Sequence, residues 1–232
     1  MEKDKNIIFK EILSETITDD DINEEYLKDL GVFIGLHPLC LREIYKSIQN
    51  GDKKYIYGNN LGSKLEILYA IEEKKIMIKH INNILTLNYS QFINFLGIID
   101  MVYSEIYPLY TLVELDETMF SENLQKLFLG KKQALVVLTA RKIALQGSYD
   151  KYVMDYFGRL WPYGELPDVA PILISNMMIK RVVSMGPSGE SEKNFTRTNL
   201  KEVQIENHQI SSAFMPSSLG QDYIKILQNK YY

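Results

Sequence analysis

The stretch "ILTLNYSQFINFLGIID", residues 84–100, decides how the fold is read. Ile84 to Leu87 read as a strand. Asn88 then offers a side-chain cap, Gln91 stands three positions later at capping-box spacing, and Phe92, Phe95, Leu96 and Ile99 fall on one helical face. A strand therefore passes straight into a capped helix. Upstream, "LEILYAI" (65–71) and "KIMIKHI" (75–81) are short and rich in β-branched and aromatic residues, and they flank Glu72, Glu73 and Lys74 at hairpin spacing. The strand at 84–87 is the third of this group.

A similar junction is read in "ISSAFMPSSLGQDYIKILQ", residues 210–228, where Ser218 and Gln221 repeat the cap spacing and Leu219, Tyr223, Ile226 and Leu227 supply an apolar side. The material before it is expected to be extended: "ILISNMMIKRVV" (172–183) as one long strand, "SMGPSGES" (184–191) as a turn, "KNFTRT" (193–198) and "KEVQIE" (201–206) as further strands. Near the start, Thr18 and Asp19 to Asp21 suit the first turn of a helix carrying Ile22, Tyr26, Leu27 and Leu30, which Gly31 ends. Pro38 opens another, with Leu41, Ile44, Tyr45 and Ile48 on one face and Asn50-Gly51 as its stop.

Residues 109–160 read as mainly helical: "SENLQKLF", "KKQALVVLTARKIAL" and "SYDKYVMDYFGRL", separated by Gly130 and Gly147. The second equally fits a buried strand over Leu135 to Leu138. In the third, Tyr152, Val153, Tyr156, Phe157 and Leu160 share a helical face. "WPYGELPDVAP" (161–171), with three prolines and a glycine, reads as a linker. The expected fold is α+β over a single domain, 1–232. It is a pseudo-two-fold arrangement of two antiparallel strand groups, each followed by a helix (half-repeats 60–102 and 170–230), with a helical middle.

The 232 residues are 46% hydrophobic and 24% charged, enough for a sizeable core. A formal charge of -4 argues against a nucleic-acid partner, which needs an excess of cations to neutralise phosphates. A lone cysteine, Cys40, forms no internal disulfide and fits a reducing cytoplasm. The opening residues lack a signal peptide's apolar core, and the most apolar windows fall well short of the ~18 residues of a membrane span.

No catalytic or metal motif stands out. His37 and Cys40 in "LHPLC" resemble a thiol–imidazole pair, but no orienting third group is evident, and a packed core cysteine is the favoured reading. His37, His80 and His208 are scattered, so no metal site is proposed. "TDDDINEE" lacks the ligand pattern of a calcium loop; "GPSGES" lacks the lysine and following helix of a phosphate loop. Glu114, Asp116 and Glu117 read as an exposed helix start. In "ILISNMMIKRVVSM" both faces of a strand would be apolar, which means burial between layers or cover by a partner protein.

The element order, together with "ILTLNYSQFINFLGIID" and "AFMPSSLGQDYIKIL", resembles the EspG-type chaperones of type VII (ESX) secretion and the EsaE-like proteins. The resemblance implies a pseudo-two-fold α+β fold and a non-enzymatic cytoplasmic protein that shields a secreted helical substrate. No functional residue, cofactor or metal is carried over by motif. Met177, Met178, Val182 and Phe195 are the expected contact residues for a protein partner, because their strands flank a loop. One alternative is an immunity protein that neutralises a toxin. A second is an enzyme, with Cys40 and His37 as its centre.

Overall fold

The structure is a computed structural model that describes residues 4–17, 22–58, 64–70, 72–167, 169–216, 219–220 and 222. Its class is α+β with two antiparallel strand groups, as expected. The chain divides into two compact units, Met1–Ser104 and Glu105–Tyr232.

The first unit opens with three helices, α1 (Lys5–Thr16), α2 (Glu24–Gly35) and α3 (Pro38–Gln49). Asn23 caps α2 by accepting from the Tyr26 amide, and Pro38 stands at the start of α3, where its missing N–H costs nothing. Gly31 does not end α2. It lies inside the helix, where a Cβ would meet Phe9 Cζ at 2.1 Å, so glycine is used for close helix packing. The Asp19–Asp21 start lies outside the described residues.

Strands β1 (Lys54–Gly58), β2 (Lys64–Ala70), β3 (Lys75–His80) and β4 (Asn83–Asn88) follow as an antiparallel sheet in the order β1-β2-β3-β4. Then comes α4 (Tyr89–Tyr103), with both capping-box bonds between Asn88 and Gln91 in place. The abrupt strand-to-helix turn thus has its expected cause. Strand alternation sends Leu65, Ile67, Ile76, Ile78, Leu85 and Leu87 inward, all buried. They share the interior with Phe92, Phe95 and Leu96 of α4 and Phe9 of α1; Phe9 meets Phe95 edge-on at 6.3 Å.

The second unit contains β5 (Leu112–Leu115), α5 (Glu122–Phe128), β6 (Leu135–Ala144), β7 (Tyr152–Leu160), β8 (Ile172–Ile174) and β9 (Ile179–Ser184). Next is a helical stretch made of α6 (Glu190–Phe195), a π-helical segment (Thr196–Glu202) and α7 (Val203–Glu206), then β10 (Ile210–Ser211). The sheet runs β10-β7-β6-β5-β9, with β8 also on β7; the β10–β7 pairing is parallel. Its core joins Val113, Val136, Leu138, Tyr156 and Ile174 with Phe120 and Phe128.

Several expectations are corrected in this unit. Residues 135–144 and 152–160 are strands, so the middle of the chain is helical only over α5 and the short 3-10 turns Glu117–Met119 and Gly147–Tyr149. β7 is lined with buried residues on successive positions (Val153, Met154, Asp155 and Tyr156), which erases the alternation that marks a strand. "ILISNMMIKRVV" is two strands broken by a 3-10 turn, Asn176–Met178; β8 pairs with β7, and β9 with β5. "KNFTRT" and "KEVQIE" are helical. The expected linker 161–171 connects the paired strands β7 and β8 inside this unit. "ISSAF" is a short strand passing into a 3-10 turn, Ser212–Phe214. The Ser218–Gln221 cap and most of its helix lie outside the described residues.

Candidate functional site

Because the side-chain period of a strand is two, the residues that leave the buried face of the β1–β4 sheet define a second face. The register places Lys54, Leu68, Met77 and Thr86 in one row across the four strands, and Ile56, Glu66, Lys79 and Ile84 in the next. Each strand thus contributes one apolar side chain. Ile56 is 48% exposed, Met77 38% and Ile84 64%, with Leu68 half-buried between its neighbours. Three inter-strand spacings of ~4.8 Å make this stripe about 14 Å long.

Lysines surround it. Lys54 and Lys79 stand within the two rows, Lys64 and Lys75 just beyond them, and Glu66 is the one carboxylate on this face among the described strand residues. Lys54 is bonded to Glu66 at 2.5 Å. That hydrogen bond, with the added charges of Lys64 and Lys79, holds the Glu66 carboxyl below the usual carboxylate range. After this pair is subtracted, Lys64, Lys75 and Lys79 leave a positive border on a chain of net charge -4.

The residues singled out from the sequence fall elsewhere and apart. Met177 is 4% exposed, and Met178 and Val182 are partly buried against the core of the second unit. Met177 is core and presents nothing to a partner. Phe195 is exposed on α6, with the Arg141 guanidinium 5.7 Å from its ring. Arg141 in turn donates to both carboxylate oxygens of Glu192 and to the Tyr107 carbonyl. That cluster fastens α6 to β6.

Cys40 and His37 do not form a pair. The Cys40 thiol is buried, and burial pushes its pKa up to about 12, so at neutral pH it is a thiol and not a nucleophilic thiolate. His37 Nδ1 lies 2.7 Å from the Phe33 carbonyl oxygen, and its ring packs on Phe33 and Tyr57. Glu114 is at the middle of β5, not at a helix start, and is bound by Lys180 and Arg181, whose hydrogen bonds hold its carboxyl low. Asp116 caps the short turn Glu117–Met119.

The chain matches no family model, no curated protein and no solved structure. Among the described residues no group of three or more His, Cys, Asp or Glu is placed to hold a metal ion, and no helix is long and apolar enough to cross a membrane.

The outer sheet face was legible in principle. Leu68, Met77 and Ile84 occupy positions where the alternation of their strands calls for polar residues, and "KYIYG" (54–58) carries the aromatic and β-branched content of a strand. What the sequence could not supply was the register that brings one apolar side chain from each strand onto the same stripe.

Proposed function

We propose that the chain is a protein-binding protein whose contact surface is the outer face of the β1–β4 sheet. The observation that carries this reading is the stripe of Ile56, Leu68, Met77 and Ile84, exposed in whole or part on a sheet whose opposite face is buried over β2 to β4 and half-buried at Tyr55 and Tyr57 of β1. Four strands of about five residues give a face of roughly 300 Å² in projection. A stable interface between globular proteins buries about 800 Å² on each partner. The face is therefore sized for one short segment, and its lysine border favours acidic residues flanking that segment's apolar ones.

The finer role, a cytoplasmic chaperone that shields a secreted substrate of a type VII system, has the resemblance to EspG-type chaperones as its support. The elements behind that resemblance stand as read over 64–70 and 72–103, and are reassigned over 135–160 and 190–206. Shielding by this face would work by mass action: the client is held while its apolar segment is covered, and is released to whatever binds it more tightly.

The test pairs capture with a defined variant. Partner chains retained by the wild-type protein in extracts of the cells that make it are identified, purified and titrated against wild type and Met77→Glu/Ile84→Glu. The double variant is expected to bind at least tenfold more weakly while keeping its circular dichroism. Equal affinity would refute the assignment. A client whose solubility rises identifies a chaperone; an enzyme whose activity falls identifies the immunity alternative.

A further inference from the structure

Besides its outer face, the first unit has a cavity of about 490 Å³ between the turn after α3, the end of the β2–β3 hairpin and the start of α4. This is within the ~300–1,000 Å³ range of small-molecule sites, and like them it is mainly apolar with a few polar groups. Ile48 and Ile76 supply aliphatic wall, and Tyr69 and Tyr89 supply two rings. Asp52 and Lys74 line it from different elements and carry opposite charges. Neither is hydrogen-bonded or ion-paired through its side chain to another described residue, so both charges are available to a ligand.

The polar end has a defined sense. Ser47 Oγ donates to the Ile44 carbonyl oxygen at 2.9 Å, which commits its single hydrogen. The contact of 2.6 Å between Ser47 Oγ and Tyr69 Oη is therefore a bond donated by the phenol. Burial pushes the Tyr69 pKa up to about 12, so this proton stays in place at neutral pH, and the charge of Asp52 adds to the rise. The phenol oxygen keeps acceptor capacity, and Tyr69 and Asp52 line the cavity together, with the Asp52 charge felt at the phenol. An ammonium group is what this end can satisfy; a carboxylate is what Lys74 can satisfy.

We propose that this pocket binds a free aromatic amino acid, its ring between Tyr69 and Tyr89 over Ile48 and Ile76, its ammonium at Asp52 and its carboxylate at Lys74. Such a ligand satisfies both unpaired charges at once, and aromatic rings prefer the offset or edge-on partners that two tyrosines provide. The site is independent of the outer sheet face and goes beyond partner binding.

The full chain, labelled with nitrogen-15, is titrated with L-tryptophan, tryptamine, indole-3-propionate and indole, following amide resonances by NMR. L-Tryptophan is expected to shift the Tyr69, Lys74 and Tyr89 amides saturably. Tryptamine and indole-3-propionate, each lacking one charge, should bind about two- to fivefold more weakly, the range set by solvent-exposed ion pairs, and indole more weakly still. Asp52→Asn should bring L-tryptophan to the level of indole-3-propionate, and Lys74→Gln to that of tryptamine. Both side chains are exposed, so the fold is retained. Absence of saturable shifts at 10 mM of any probe, or equal affinity for all four, would overturn the proposal.

Discussion

Removing the Asp155 carboxylate should strongly destabilise the second unit. Asp155 is fully buried in β7, and the side chain of Lys142, which donates to Oδ1 at 2.7 Å, is 4% exposed. Oδ2 accepts from Ser211 Oγ at 2.5 Å and from the Asn176 amide at 3.0 Å. One carboxylate thus ties together β6, β7, the turn before β9, and β10. Asp155→Ala strands a buried ammonium, for which the cost is about 3–5 kcal/mol, and leaves the Ser211 hydroxyl and the Asn176 amide without this acceptor. Domains of this size are stable by only about 5–15 kcal/mol. At a urea dependence of about 2 kcal/mol per molar, the midpoint should fall by roughly 2 M. Trp161, the only tryptophan, immediately follows β7 and reports on this unit by fluorescence. Replacing both ions, Lys142→Met with Asp155→Leu, should restore the part of the loss due to the stranded ammonium, because an apolar pair pays no desolvation, while the cost of the orphaned Ser211 and Asn176 donors remains. A midpoint within 0.25 M of wild type for Asp155→Ala, or a double variant as unstable as the single one, would refute this account of the network.

Three further outcomes follow from the first unit. Gly31→Ala should destabilise it by about 1–3 kcal/mol through overpacking against Phe9, despite alanine's better helix propensity, and Phe9→Leu should recover part of the loss in thermal melts. His80 is buried, with no hydrogen-bond partner for Nε2 among the described residues and its ring 4.4 Å from that of Phe33, and burial lowers its pKa. The unfolded chain therefore takes up the proton first: stability is at its full value above about pH 6.5 and falls as pH drops toward the folded pKa, with a slope of up to ~1.4 kcal/mol per unit. His80→Phe should flatten the urea midpoint over that window, and an unchanged pH profile would count against the assignment. Finally, with its thiol buried and its pKa near 12, Cys40 should be alkylated only as fast as the unit opens, so labelling in mild urea should track unfolding. Rapid modification of the native chain at pH 8 would contradict this and revive the enzyme alternative.

The difference between the units in how far they can be read from sequence has a physical origin. In the first sheet one face is packed and the other open, so Leu65, Ile67, Ile76, Ile78, Leu85 and Leu87 recur with a period of two, and the hairpins between them are short. The Asn88–Gln91 spacing marks the next helix by itself. In the second unit β7 is buried on consecutive residues, and Tyr152, Val153, Tyr156, Phe157 and Leu160 fall by coincidence on a helical stripe. The aromatic and β-branched content of that segment was the better guide. Residues 190–206 misled in the opposite way. Gln204 is the only buried residue in this stretch, so no apolar stripe announces the helix, and the chance alternation in "KEVQIE" imitates a strand. Its local signals were polar ones: Glu190 and Glu192 in the first turn, and the Glu192–Thr196 and Asn194–Arg197 pairs at helical spacing.

The same logic moved the candidate contact surface. Two apolar faces on a presumed long strand drew attention to Met177, Met178 and Val182, which serve the core, while single apolar residues on otherwise polar strand faces carried the information. The most direct measurement is site-specific photo-crosslinking in the cells that make this protein, with the reactive side chain at position 77 on the stripe or at the exposed position 129 in the second unit. The account predicts a discrete cross-linked partner from position 77 and none from position 129. No product from position 77, or the same product from both, would contradict it.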